Sequence, residues 1–468
     1  MPGGAARDGR YATGVKVRRE LGAAWADTPC CAPESPLWAG FVQVTVALYR
    51  LSSDSDEQGG LDVSRWKRRQ DPKPDTPEAD VEPLAWFGAA EECSDRALTH
   101  EVVASLRERL AMEPEWTSVE EVDAGIELAW WGFVAPLRVW VSWPRSTSYG
   151  TAVFVHAAMP GAELADPSVG FNLAWRWNIE RATSYSWRFD APQKLLSAGM
   201  TAFCLADGRS VPGVTTSAAD LSALLLEMYS IGSVTAGNLW TDPQAAGHVQ
   251  IPTDLPPNGQ LRNEDLPEHL LMHAGRLFEA GQKDGNRWGV ESAEALVDRY
   301  FESLPAGEAQ LLRATRDLNR TIAEAMHIPA GSPYTAMVSP VPDLTVLLHA
   351  TREDHPYLGP GLLVRCDTPY RVSESEADLA VSVLTGQEMA GRSGTPLQGS
   401  WYVSENAQTR FPVAEDERAL GFLTFLPSAR ADTLDAADHV GQLVRRARWL
   451  RLMCGPSQPP PAPPLQVN

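Results

Sequence analysis

The chain has 468 residues, enough for about three domains of ordinary size. Hydrophobic residues make up 44% and charged residues 21%, which excludes a fibrous or wholly disordered protein. Forty Lys and Arg against 60 Asp and Glu leave a net charge of −20, so the molecule's own field opposes DNA, RNA and anionic lipid, and neither a nucleic-acid nor a membrane partner is expected.

The N-terminal stretch MPGGAARDGRYATGVKVRREL is basic but lacks the apolar run of about 7–15 residues that a secretion signal needs. The most apolar internal segment, DLSALLLEMYSIGSV, carries Asp220 and Glu227 and falls short of the roughly 18 uncharged residues of a membrane span. Cys30, Cys31, Cys93, Cys204, Cys366 and Cys454 form no CxxC pair, which suits free thiols in a reducing cytoplasm. Cys30 and Cys31 are adjacent and read as an exposed pair, a vicinal disulfide or a soft-metal pair. Lys stands only at positions 16, 67, 73, 194 and 283, the bias of a GC-rich bacterial genome.

Residues 1–97 read as an extension with one strand, Phe41–Leu51, set among acidic and Pro-rich loops. Its basic cluster, Arg65, Lys67, Arg68 and Arg69, fits an acidic partner or the protein's own acidic loops. Residues 98–240 form a first α+β unit. Apolar residues at helical spacing predict a helix over Leu98–Met112, and β-rich runs follow at Ile126–Val134, Leu137–Arg145 and Thr151–Pro160. Asp166 before Pro167 opens a second helix reaching about Ala182. Strands over 186–192 and 199–208 precede a helix begun by Ser217 with Asp220.

Residues 241–290 read as a linker with a helical segment, and 291–454 as a second α+β unit. That unit opens with a helix over Glu308–Met326, continues with strands in PYTAMVSP, DLTVLLHATR and GLLVRCDTP, and reaches a capping box of Ser373 with Glu376. Strands at Ser400-Trp401 and ALGFLTFLP and a helix over about Thr433–Leu452 complete it. Residues 455–468 form a Pro-rich tail.

Each unit therefore reads α-β-β-β-α-β-β-α, and the fold class is α+β with two pseudo-symmetric units, each an antiparallel sheet backed by helices. Letters match as well: Leu137–Arg145 answers Leu344–Arg352, Pro160 answers Pro369, and Ser186-Trp187 answers Ser400-Trp401. This element order over 98–231 and 308–452 resembles the type III secretion chaperones and the YbjN-like bacterial proteins. The resemblance implies a non-catalytic role in which such domains pair and hold a partner's extended or amphipathic segment. It also implies either a monomer whose two units mimic the usual homodimer or a homodimer.

No GxSxG elbow, GxxxxGK[ST] loop or GxGxxG fingerprint is present, so three large enzyme classes lose support, and neither a catalytic set nor a cofactor is expected. His269 and His273 have the spacing of two zinc ligands on a helix, yet no Glu base follows His269, so no metal is expected. His156, His349 and His355 lie on or just after corresponding strands, where acids such as Glu353 or Asp354 would serve a general base; neighbours that satisfy them are the commoner case. Trp140, Trp143, Trp175, Trp177 and Trp187 concentrate in the first unit. They read as a surface for an unidentified protein partner, or else as core and inter-unit packing. Arg445, Arg446, Arg448 and Arg451 are explained by the C-terminal end of the last helix. The resulting expectation is a cytoplasmic, non-enzymatic adaptor. The alternative is a small-molecule sensor or enzyme with a site between the units that uses residues such as His156 and Arg176.

Overall fold

In the computed structural model the described residues are 91–454, without 181–182, 209–210, 212, 241–248, 251–254, 261–275, 277, 281, 284, 286, 289–292, 305, 315–334, 342–343, 392, 405–415 and 433. They belong to one unit of the chain, Ser52–Asn468. The expected strand Phe41–Leu51, Cys30 with Cys31, the cluster Arg65–Arg69, His269 with His273 and the Pro-rich tail lie outside them.

Helix α1 (Ala97–Arg109) buries Val102, Val103 and Leu106, the face that the sequence spacing marked. Strands β1 (Thr117–Val122), β2 (Gly125–Trp130), β3 (Leu137–Ser142), β4 (Arg145–Thr147) and β5 (Gly150–Leu164) follow. Strand β1 has no sequence-based counterpart, because its burial runs from buried Thr117 into three exposed residues and leaves no alternation to read. Helix α2 (Pro167–Glu180) starts as expected, with Ser168 N–H donating to Asp166 Oδ1 at 2.9 Å. Strands β6 (Ser186–Asp190) and β7 (Leu195–Leu205) lead to α3 (Ala218–Trp240), where Ser217 Oγ accepts from Asp220 N–H at 3.1 Å. The short β8 (Val249–Gln250) pairs with the end of β5.

The second half has α4 (Ala293–Ser303) and helical residues 306–314, the described part of the helix expected from Glu308. Next come β9 (Thr335–Val341), β10 (Leu344–His355), β11 (Gly359–Ser373), α5 (Ala377–Met389), β12 (Ser400–Ser404), β13 (Glu417–Pro427) and α6 (Ala436–Cys454). The capping box is only partly realised. Ser373 Oγ donates to Glu376 Oε2 at 2.5 Å, but a 3-10 turn over Glu374–Glu376 intervenes and α5 begins without a side-chain cap.

The architecture is α+β with two antiparallel sheets. The first runs β1-β2-β3-β5-β7-β6, the second β9-β10-β11-β13-β12, so five strands of each follow one order. Pairing is interrupted near matched prolines: between Pro160 and Ala162 on β5, and between Asp367 and Arg371, around Pro369, on β11. A proline has no N–H for the ladder, so a bulge there is what the chemistry demands. Measured from these prolines, the letter match of β3 with β10 is two residues out of register. A slip of two keeps every side chain on its face, which is why the letters still align.

Strand β6 ends one sheet and β12 the other, and the two halves meet there. Helix α2 packs on its own β6 and also touches β12, while α5 packs on its own β12 and also touches β6. Both edge strands are covered by the opposite half, which removes two aggregation-prone edges at once. The approach is close: a Cβ on Gly199 of β7 would lie 2.7 Å from Met389 Cε of α5. No helix among the described residues is long and apolar enough to cross a membrane.

Candidate functional site

The first sheet has one face on the core, carrying Ile126, Leu128, Val139, Val155, Ala157 and Met200. Directly paired residues of an antiparallel sheet share a face, so the other face can be read from the register. Glu120 pairs with Glu127, Glu127 with Trp140, Trp140 with His156, and His156 with Thr201. These five residues form one row across five strands. Glu120 and Glu127 are exposed, Trp140 and His156 half-buried, and Thr201 buried.

The buried end of the row is closed by the second half. Leu397 N–H donates to Thr201 Oγ1 at 2.8 Å, and Thr201 N–H donates to Leu397 O at 3.3 Å. In the next row Phe154 packs edge-on to Trp140 with ring centroids 6.0 Å apart. His156 is neutral, because burial first and the Arg188 charge second bring its pKa down to about 4. Its Nε2 is shielded from solvent without a hydrogen-bond partner among the described residues. Among these residues neither Glu120 nor Glu127 has a salt-bridge partner; the neighbouring Glu121 meets His100 at 3.9 Å.

Of the five tryptophans singled out from sequence, Trp140 and Trp175 are half-buried and three lie in the core. Trp143 donates its Nε1–H to Asp123 O at 2.9 Å under the Arg96 guanidinium. Trp177 and Trp187 pack edge to face with centroids 4.6 Å apart. Each is more useful to the fold as apolar volume than as surface, since burying an indole removes a large apolar area from water. The exposed part of the aromatic set is therefore Trp140 on the sheet and Trp175 on α2. Trp175 Nε1 is buried and lacks a hydrogen-bond partner among the described residues. Arg176 lies 3.6 Å from Glu180 one turn on.

Counted from Pro369 as Trp140 and His156 are counted from Pro160, the second sheet has His349 and Arg365 at the same places. There Asp367 joins two polar side chains, while Arg365 Nε, like His156 Nε2, is buried without a hydrogen-bond partner among the described residues. His349 Nε2 lies 3.1 Å from Asp367 Oδ2, and Tyr402 donates its hydroxyl proton to Asp367 Oδ1. Asp367 and Tyr402 are buried, and burial together with the adjacent carboxylate pushes the Tyr402 phenol well above its ordinary pKa. His355, the third strand histidine, accepts from the N–H groups of Tyr357 and Leu358 through Nδ1, both at 3.1 Å, and so shapes its own hairpin. Glu353 and Asp354 are exposed; Glu353 accepts from Thr351 Oγ1 at 2.9 Å.

A second polar cluster lies where the halves join. Glu227 on α3 accepts from Ser184 Oγ at 2.6 Å and pairs with Arg430 of the second half at 3.5 Å, both side chains being buried. Burial pushes the Glu227 carboxyl up, against the pull of Arg430 and Ser184. On α6, Arg446 pairs with Glu388 of α5 at 2.7 Å, and Trp401 Nε1 donates to the same carboxylate at 3.0 Å. His439 between them is buried and held neutral, with a pKa near 3, by burial and by Arg430 and Arg446. The sequence explains Arg446 as a helix-end cation; the structure makes it an interior charge, visible only once Glu388 is folded beside it.

Among the described residues no group of three or more His, Cys, Asp or Glu is placed to hold a metal ion. Cys93, Cys204 and Cys366 are free thiols, and burial lifts Cys204 to about 12. No protein-family model matches this chain, and no curated protein matches it in sequence.

Proposed function

We propose that the protein is a cytoplasmic, non-enzymatic adaptor that holds a segment of a partner protein on the open sheet face of its first half. We infer further that its halves descend from one duplicated module and now act as a fused pair, with a shared strand order and reciprocal packing of α2 and α5 in support. The observation that carries the functional reading is the contrast between Trp140 and His349. At one position of two matching sheets the second half places a partly buried histidine tied to Asp367, while the first half places a partly buried indole. Half-exposed aromatic area beside polar groups is the composition of a protein-recognition surface. The buried ionisable groups at the seam are paired, Glu227 with Arg430 across it and Glu388 with Arg446 within the second half, which favours a structural role over a reacting one.

The test is affinity capture from the native host with full-length protein, followed by mass spectrometry, comparing the wild type with Trp140→Ala and Trp175→Ala. A specific partner retained by the wild type and lost with Trp140→Ala supports the adaptor. Retention that is indifferent to both substitutions, in variants that melt like the wild type, removes it.

A further inference from the structure

Each sheet ends in two edge strands, and three of these four are protected. Strands β6 and β12 are covered by helices of the opposite halves. On β9, where α4 and α6 pack, Pro340 has no N–H to offer and its carbonyl accepts from Arg448 Nε at 3.0 Å. Strand β1 ends the first sheet without such cover among the described residues. It contains no proline, and helix α1 packs on β2, β3 and β5 instead. Trp131 N–H donates to Trp116 O at 2.9 Å just before β1, and the pairing with β2 then runs without a shift to Val122 and Gly125. Bonded and non-bonded pairs alternate along an antiparallel ladder, so Ser118, Glu120 and Val122 bond to β2 while Val119 and Glu121 turn their N–H and C=O groups outward. Val119 shares the core face with its partner Leu128, yet it is 45% exposed where Leu128 is 1%.

We propose that β1 receives an added strand: an extended segment of the partner protein in which apolar residues alternate with arginine or lysine. Val119 and Glu121 supply the main-chain bonds, Val119 packs against an apolar side chain, and Glu120, on the other face, meets a basic one. Charge decides against a second copy of this chain, since pairing two β1 strands would bring Glu120 and Glu121 together with their equivalents on molecules that each carry −20. The inference rests on the adaptor reading and specifies where, and in what form, the partner's segment is held.

The experiment uses full-length protein and a fluorescein-labelled octapeptide of alternating valine and lysine, followed by polarisation at near-physiological salt, beside the same peptide N-methylated at every residue. Methylation removes the backbone donors and keeps the charge. The proposal expects the methylated peptide to bind at least about tenfold more weakly. Val119→Pro removes one outward N–H and leaves the ladder to β2 intact, so it should weaken the plain peptide about tenfold in a protein that melts like the wild type. Glu120→Gln with Glu121→Gln should weaken it several-fold, and bound peptide should slow hydrogen exchange at the Val119 and Glu121 amides. Equal affinity for the two peptides, no binding, or unchanged exchange at those amides overturns the added strand. A captured partner that is lost with Trp140→Ala but retained by Val119→Pro would overturn the edge site while leaving the adaptor reading standing.

Discussion

The two sheets carry the same five-strand order, yet the faces that bear Trp140 and His349 have gone different ways. In the second sheet the buried Asp367 ties the partly buried His349 to the buried Tyr402. In the first, the corresponding row runs from paired carboxylates at the surface through Trp140 to His156, whose inner nitrogen is unanswered among the described residues. A framework that tolerates both shows that the strand order does not require the row's chemistry. The version centred on Asp367 serves stability, whereas the first is the one we propose for recognition.

The largest effect that would break this contrast is expected from Asp367→Ala. It strips a buried acceptor from both Tyr402 and His349, and should cost about 2–4 kcal/mol in urea unfolding. A loss under about 1 kcal/mol would mean that the second row is no more closed than the first. Acidity sharpens the comparison next. The folded-state pKa of His156, about 4, lies below the ordinary 6.5, so between these values the unfolded chain binds a proton that the folded one refuses. Stability contributed by this residue therefore falls as pH drops from about 6.5 to about 4. His156→Phe should recover on the order of 2–3 kcal/mol of that loss at pH 4, read from denaturation curves of both proteins across the window. Trp140→Ala should lower stability by about 1–2 kcal/mol, because the ring is partly exposed, while Trp143→Ala should cost about 3–5. Similar melting of the two variants would deny the distinction between surface and core indoles. The smallest effect has the opposite sign: Glu127→Gln should stabilise by about 0.5 kcal/mol by ending a cross-strand repulsion, seen as a slight rise in melting temperature.

Much of this was readable from the chain in order. Alternating β-rich runs and helical spacing located ten strands and most helices, because each signal is local. Strand β1 escaped because an edge strand with one wet face and two adjacent glutamates loses the apolar period. Helix α4 was legible in principle from Leu296, Val297, Tyr300 and Phe301, which recur at helical spacing. The candidate site was half visible. Trp140 stood out by composition, but its neighbours Glu127 and His156 are set by hairpin register, and a register depends on turn geometry between strands. Likewise Trp143, Trp177 and Trp187 could be counted but not sorted from Trp140, since burial on two sides is decided by what packs against a strand. Arg446 illustrates the same limit for charge, because its partner Glu388 is 58 positions earlier.

The Glu227–Arg430 pair has a consequence for synthesis. The carboxylate emerges from the ribosome 203 residues ahead of the guanidinium that neutralises it. Until the later residue arrives, the early part of the polypeptide must either keep that acid protonated or leave α3 ajar to water, and a severed fragment ending before position 430 would stay in that condition. Nascent-chain maturation around α3 should thus wait for Arg430 and finish in a single step.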